Sequence, residues 1–217
     1  MAMREPLALA DNQSVAVPST GRGWLSGSVV RNVAASVVFG AAVLGLVWFF
    51  TQGSEGAASS QSVTITAKAS GPAPRVGKPA PEFRVVGLDG TVIELSALRG
   101  HPVWINFWAT WCPPCRAESP EIEAAYEQYR EQGLVVVAID VGEDAATVRD
   151  YVQRAGLTYP VGGDPATDVA ATYRVTGLPT HVFVDADGIV RDIRMGRLGK
   201  ETIQQELSKV LTAASGQ

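Results

Sequence analysis

Apolar positions fall into three regimes along this chain. Residues 1–32 mix polar and apolar side chains with Gly, Ser and Pro and hold no sustained period, which predicts a flexible tail. From Val33 to Phe50 the run VAASVVFGAAVLGLVWFF passes 18 residues without a charge. As a helix it would extend roughly 27 Å, close to the hydrocarbon thickness of a bilayer. The pattern therefore predicts one transmembrane helix over 33–50, its WFF end carrying aromatic residues of the kind found at membrane interfaces. Residues 51–75, rich in Ser, Gly, Ala and Pro, read as a flexible linker.

At Val76 the pattern changes to short apolar runs alternating with helical periods, and this predicts a folded domain over 76–212, with 213–217 left as a tail. FRVVGLDGTVIEL reads as two extended segments turning at Asp89 and Gly90. VWINFW, LVVVAID and HVFVD are apolar runs of the length and composition of buried strands. Between them, Ile122, Ala125, Tyr126 and Tyr129 recur at helical spacing, and so do Val148, Tyr151, Val152 and Ala155. A second hairpin turns at DADG into IVRDIRM, and a last helix carries Ile203, Leu207, Val210 and Leu211 on one face. This order predicts an α/β fold: a mixed central sheet with helices on both faces and right-handed crossovers.

Charge narrows the function classes. Between Val76 and Thr212 there are 13 Lys and Arg against 19 Asp and Glu, and the whole chain carries a formal charge of -4. No basic residues cluster, which argues against a nucleic-acid-binding surface and leaves the domain no electrostatic hold on anionic lipid. Its tie to the membrane is then the anchor alone. Arg22 and Arg31 precede the apolar run and the next basic residue after it is Lys68, so the positive-inside rule places the N-terminus in the cytoplasm and the domain outside. A cleaved signal peptide is the rival reading, with EGAASS offering small residues downstream; the run is longer than an ordinary signal core and starts about thirty residues into the chain.

The candidate chemistry lies in FWATWCPPCRAESP, which holds the chain's two cysteines. A bridge between Cys112 and Cys115 closes too short a loop to constrain the chain, so its role is chemical. Cys112 stands between the strand VWINFW and a helix, where unpaired N–H groups and the helix dipole favour a thiolate. It is the expected attacking sulfur. Pro113 and Pro114 suit a first helical turn, where a missing N–H costs no hydrogen bond. Cys115, one turn on, is expected to lie beneath Cys112 and to be less exposed.

FWATWCPPC resembles the active-site segment of thioredoxin-fold proteins. Together with CPPCRAESP and the later GLPTHVFVD, it makes 76–211 similar to the membrane-anchored extracytoplasmic thiol-disulfide reductases of the ResA/TlpA type. The resemblance implies a thioredoxin fold with an N-terminal β-hairpin and a redox-active Cys112–Cys115 pair. It further implies a helix-kinking Pro120, a cis Pro179 facing the disulfide, and a substrate groove formed by Trp111, Pro113, Pro114, Leu178, Pro179 and Thr180. Glu118 matches a glutamate that tunes the thiols in ResA-like proteins; read without the family it is a solvated helix residue. Asn106 departs from ordinary thioredoxins, which carry a buried aspartate there as proton acceptor, a task an amide cannot perform. Thr180 stands where another branch, the cytochrome-c-maturation reductases, has a glutamate. No cofactor is implied. The implied partners are oxidised client proteins, such as apocytochrome c or copper-site thiols, and an inner-membrane thiol electron donor; the implied location is the cytoplasmic membrane, single-pass.

Three rival activities use the same residues. The dithiol could run as a disulfide oxidase or isomerase, because spacing does not set a reduction potential. Two thiolates could hold Cu(I) in a metallochaperone, whereas zinc would need His101 and His181 to join them. A thiol peroxidase would carry a P-x-x-x-T-x-x-C pattern, and Ile105 and Ala109 occupy the Pro and Thr positions.

Overall fold

The computed structural model describes residues 40–45, 61–62 and 69–211. Residues 40–45, inside the apolar run, are helical. The rest of the 33–50 span, the tail over 1–32, most of the 51–75 linker and residues 212–217 lie outside the described residues. Among the described residues no helix is long and apolar enough to cross a membrane.

Among the described residues after the 40–45 helical segment, nine strands and four α-helices follow in chain order: β1 (Gln61–Ser62), β2 (Arg84–Gly87), β3 (Val92–Glu94), β4 (Val103–Trp108), α1 (Pro113–Tyr129), β5 (Val135–Val141), α2 (Ala145–Ala155), β6 (Val161–Asp164), α3 (Asp168–Thr172), β7 (Gly177–Leu178), β8 (Thr180–Val184), β9 (Val190–Met195) and α4 (Lys200–Leu211). Seven of the strands make one sheet in the order β3-β2-β6-β5-β4-β8-β9. Its centre, β6-β5-β4, is parallel; β3-β2, β2-β6, β4-β8 and β8-β9 are antiparallel. The mixed sheet and both hairpins match the expectation from the sequence.

Position in the sheet explains the sequence of each strand. All six residues of β4 are buried, because β4 is covered on both faces and paired on both edges; hence VWINFW is a continuous apolar run. β2, near the edge, alternates exposed and buried residues with period two. The same alternation sorts β4 into two faces. Trp104, Asn106 and Trp108 look one way, with Trp104 stacked on Phe183 at 5.3 Å and Trp108 against Tyr151 of α2 at 5.4 Å. Phe107 looks the other way, onto Tyr173 at the end of α3, at 5.2 Å. The crossovers β4-α1-β5 and β5-α2-β6 step the same way along the sheet, so right-handedness puts α1 and α2 on the Trp108 face. α4 joins them, its Glu206 paired with Arg194, which is the register partner of His181.

Helix limits follow their capping residues. Asp144 accepts from the N–H groups of Ala146 and Thr147, each at 3.0 Å, and starts α2; Gly156, left-handed at φ 67°, ends it. α1 runs through Pro120 without interruption. The helical faces read from the sequence bury Ile122, Ala125, Val148, Ile203, Leu207 and Val210, whereas Ala155 is exposed at the end of its helix.

Candidate active site

β4 ends at Trp108, and Ala109 to Trp111 turn the chain into α1 with Cys112 as N-cap in extended conformation. Pro113 and Pro114 occupy the first two helical positions, as expected from their lack of an N–H. The Cys115 N–H donates to Cys112 Sγ at 3.3 Å, a capping contact made by sulfur. In the reduced protein that donor, with the helix dipole behind it, favours negative charge on Cys112.

Cys112 and Cys115 form a disulfide, with Cα atoms 5.3 Å apart. The expected difference in exposure is not present: Cys112 is 0 % exposed and Cys115 1 %. In the oxidised form each sulfur covers the other, and both join the hydrophobic core.

The Leu178–Pro179 bond is cis. Of the six residues the resemblance assigns to a groove, Trp111 and Pro113 are exposed, while Pro114, Leu178, Pro179 and Thr180 are buried. Thr180 turns its hydroxyl back to donate to Gly177 O at 2.7 Å. Pro179 O accepts from Gly196 N at 2.8 Å, which ties the proline loop to the end of β9. Met195, the register partner of Thr180, is 48 % exposed beside this loop. Sequence reasoning missed Met195, whose only signal was an unpaired apolar residue at a strand end.

Glu118 is not a solvated helix residue. It is fully buried, its Oε2 accepts from Leu198 N at 3.1 Å, and the same oxygen stands 3.4 Å from His181 Nε2. Its other oxygen, Oε1, has no hydrogen-bond partner in the protein. His181, weighed from the sequence as a zinc ligand, is equally buried on β8, directly across from Asn106 of β4. Asn106 is buried too, its Oδ1 without a partner. One sheet face thus carries Asn106 and His181, and α1 packs over that face with Glu118, one helical turn after Cys115, turned toward His181.

A second group of acids holds the loop before Cys112. Glu143 accepts from Thr110 N and Thr110 Oγ1, each at 2.6 Å, so a single carboxylate grips that loop at two atoms. Asp140, the register partner of Trp108 at the end of β5, accepts from Glu143 N at 3.2 Å. Burial pushes the Asp140 carboxyl up to about 9, and the neighbouring Glu143 adds to the shift. Nothing in the sequence singled these residues out; the available signal was an acid closing a buried strand, in AIDVGED.

The two histidines do not meet. His101 is exposed, its Nδ1 3.2 Å from Gly133 O, while His181 is in the core. Among the described residues no group of three or more His, Cys, Asp or Glu is arranged to hold a metal ion.

Residues 76–193 match the model of the AhpC/TSA family. The thiol-disulfide oxidoreductase ResA of Bacillus cereus is 39 % identical over 136 residues, covering 63 % of this chain and 79 % of that protein. ResA of Geobacillus kaustophilus is 38 % identical over 135 residues, covering 62 % and 78 %. Among solved structures, a thioredoxin-family thiol:disulfide interchange protein from Chlorobium tepidum superposes with a TM-score of 0.58 at 31 % identity, covering 64 % of this chain and 99 % of that one. The exposed lipoprotein thioredoxin of Streptococcus pneumoniae gives 0.52 at 30 % identity, covering 59 % and 99 %. The central sheet, the disulfide at the start of α1 and these likenesses agree, and the chain belongs to the thioredoxin-like AhpC/TSA family and to the ResA-type thiol-disulfide oxidoreductases within it.

Proposed function

We propose that this protein is a thiol-disulfide oxidoreductase that reduces disulfides in client proteins on the outer side of the cytoplasmic membrane. The observation that carries the reading is the Cys112–Cys115 bridge at the N-terminus of α1, where backbone donors favour a Cys112 thiolate. The reduced pair acts in two exchanges. Cys112 thiolate attacks one sulfur of the client disulfide, a mixed disulfide forms, and the client's other sulfur leaves as thiolate. Cys115 then loses its proton and attacks Cys112 Sγ; the Cys112–client bond breaks, the client leaves fully reduced, and Cys112–Cys115 is oxidised by two electrons. An extracytoplasmic setting is oxidising, so an inner-membrane dithiol donor must return those electrons. Apocytochrome c cysteines and copper-site thiols are the client classes that suit such a reductase.

The anchor over 33–50 belongs to the same proposal. Its support is 18 uncharged residues, the helical conformation of 40–45, and the placing of Arg22 and Arg31 before the span. Trp111, Pro113 and Met195 form the exposed apolar rim on which a client would first settle.

The mechanism assigns the two sulfurs distinct tasks, and trapping tests that assignment. The Cys115→Ser protein, mixed with an oxidised client, should accumulate a covalent Cys112–client adduct visible on non-reducing gels, because the resolving sulfur is gone. Cys112→Ser should accumulate none. Adducts forming mainly through Cys115 would overturn the assignment.

A further inference from the structure

His181 takes no part in the exchange as described, yet it lies fully buried against Glu118, the carboxylate three residues after Cys115. Its protonation state can be derived. Trp104 Nε1 is a donor only, and it donates to His181 Nδ1 at 3.3 Å, so Nδ1 carries no hydrogen. The imidazole is then neutral with its hydrogen on Nε2, facing Glu118 Oε2 at 3.4 Å. That approach is not aligned as a full hydrogen bond. Leu198 N–H donates to the same oxygen at 3.1 Å. Leu198 N–H thus holds Oε2 and the His181 ring stands against the same oxygen, while Oε1 is left buried without a donor.

Cys115 sits three residues before Glu118, on the same helical face. We propose that His181 is a positioning residue for the second exchange: with Leu198 N–H it fixes Glu118 Oε2, so that Oε1 takes the proton of the Cys115 thiol. In that step the S–H bond of Cys115 breaks and an O–H bond forms on Glu118. The Cys115 electron pair then makes the bond to Cys112 Sγ, the Cys112–client bond breaks, and Glu118 later passes the proton to the departing client thiolate. Electrons move only between the sulfurs. The proposal deepens the reductase reading and rests on it; it also supplies the proton acceptor that Asn106, an amide, cannot be.

Of the titratable groups around the pair, Tyr159, just before β6, interacts with Glu118 and stays protonated, because burial pushes its hydroxyl up; the remaining neighbours are neutral or paired. From β4, the register partner of His181 is the neutral Asn106. From β9, its partner Arg194 is neutralised by Glu206 of α4 at 2.7 Å. From α1, Glu121 pairs with Arg197 at 3.3 Å. None of these competes with Glu118 for the Nε2 hydrogen.

The test is single-turnover reaction of the reduced full-length protein, in detergent, with 5,5'-dithiobis(2-nitrobenzoate). This reagent releases one coloured thiolate when Cys112 attacks and a second when Cys115 resolves the adduct. Across pH 5 to 9, His181→Phe is expected to leave the first release within about twofold and to slow the second by at least about tenfold near neutral pH. The deficit should close at high pH, where Cys115 ionises unaided. Glu118→Gln should show the same profile, the double variant no further loss, and His181→Gln, which keeps an N–H donor, a partial recovery. A second release in His181→Phe within about twofold of wild type at every pH would overturn the proposal, as would an equal loss at all pH values in both His181 variants. If wild-type protein never released the second thiolate, the reductase reading itself would fall instead.

Discussion

Asp140 shows what a single buried acid does to this protein. Its carboxyl sits at about 9 in the fold because burial disfavours the charge, against 3.8 for the free group. The native state therefore holds a proton that the unfolded chain gives up. The sign follows: the stability of the protonated form is fully present below about 3.8 and is lost progressively as pH rises toward about 9, at up to roughly 1.4 kcal/mol per pH unit. Asp164, raised by burial as well, adds in the same direction. Asp89 and Asp144, held low by hydrogen bonds to Thr91 and Thr147, are ionised in both states above pH 5 and contribute no slope there. Urea titrations should show stability falling between pH 5 and pH 8, and Asp140→Asn, which keeps an acceptor for Glu143 N, should flatten that slope and be the more stable protein at pH 8. An equal slope in the variant would contradict the assignment. The burial of Asp140, Glu118 and His181 was illegible in the sequence for one reason, although the family resemblance had already pointed to Glu118. Polar residues are exposed by default, and only the sheet register and the packing of α1 and α4 decide that these three are not. The cysteine pair was legible because its chemistry is local: two residues apart, at a strand-to-helix turn.

The elements were legible in proportion to their length and regularity. β4, β5, β8, both hairpins, α1, α2 and α4 all show in the apolar pattern, since each has enough residues for a period to emerge. β6 does not show, because YPVGGD carries two glycines that lower its strand propensity. The structure supplies the reason for one of them: a Cβ on Gly162 would come within 2.5 Å of Val85 Cγ2, so β2 can lie against β6 only over a bare backbone. α3, at five residues, is too short for a helical period to declare itself. β1 was invisible inside the linker. It pairs antiparallel with β7, Gln61 opposite Leu178 and Ser62 opposite Gly177, on the two residues before cis Pro179. A client segment adding as a strand to that edge must displace it. Replacing Gln61 and Ser62 by proline removes the N–H groups the pairing uses. The change should speed reduction of a folded client such as insulin by roughly two- to fivefold, through loss of an intramolecular competitor. Reduction of a small aromatic disulfide should not change. Equal acceleration of both substrates would show that the strand does not compete for the client edge.

At the scale of the whole molecule, the acidic domain and the uncharged span over 33–50 support the proposal of a catalytic unit tethered to a membrane without adhering to it. The direction of electron flow is a property of the whole site: the backbone donor on Cys112 favours the reduced form, and burial of the bridge favours the oxidised one. The most direct test of the account is the equilibrium reduction potential of the full-length protein in detergent, titrated in thiol redox buffer. Trp108, buried beside the site, and the exposed Trp111 give the fluorescence signal. A reductase that draws on a membrane dithiol donor should have a potential near that of thioredoxin, about -270 mV. A potential nearer -120 mV would make the Cys112–Cys115 disulfide an oxidant of folding proteins and contradict the account.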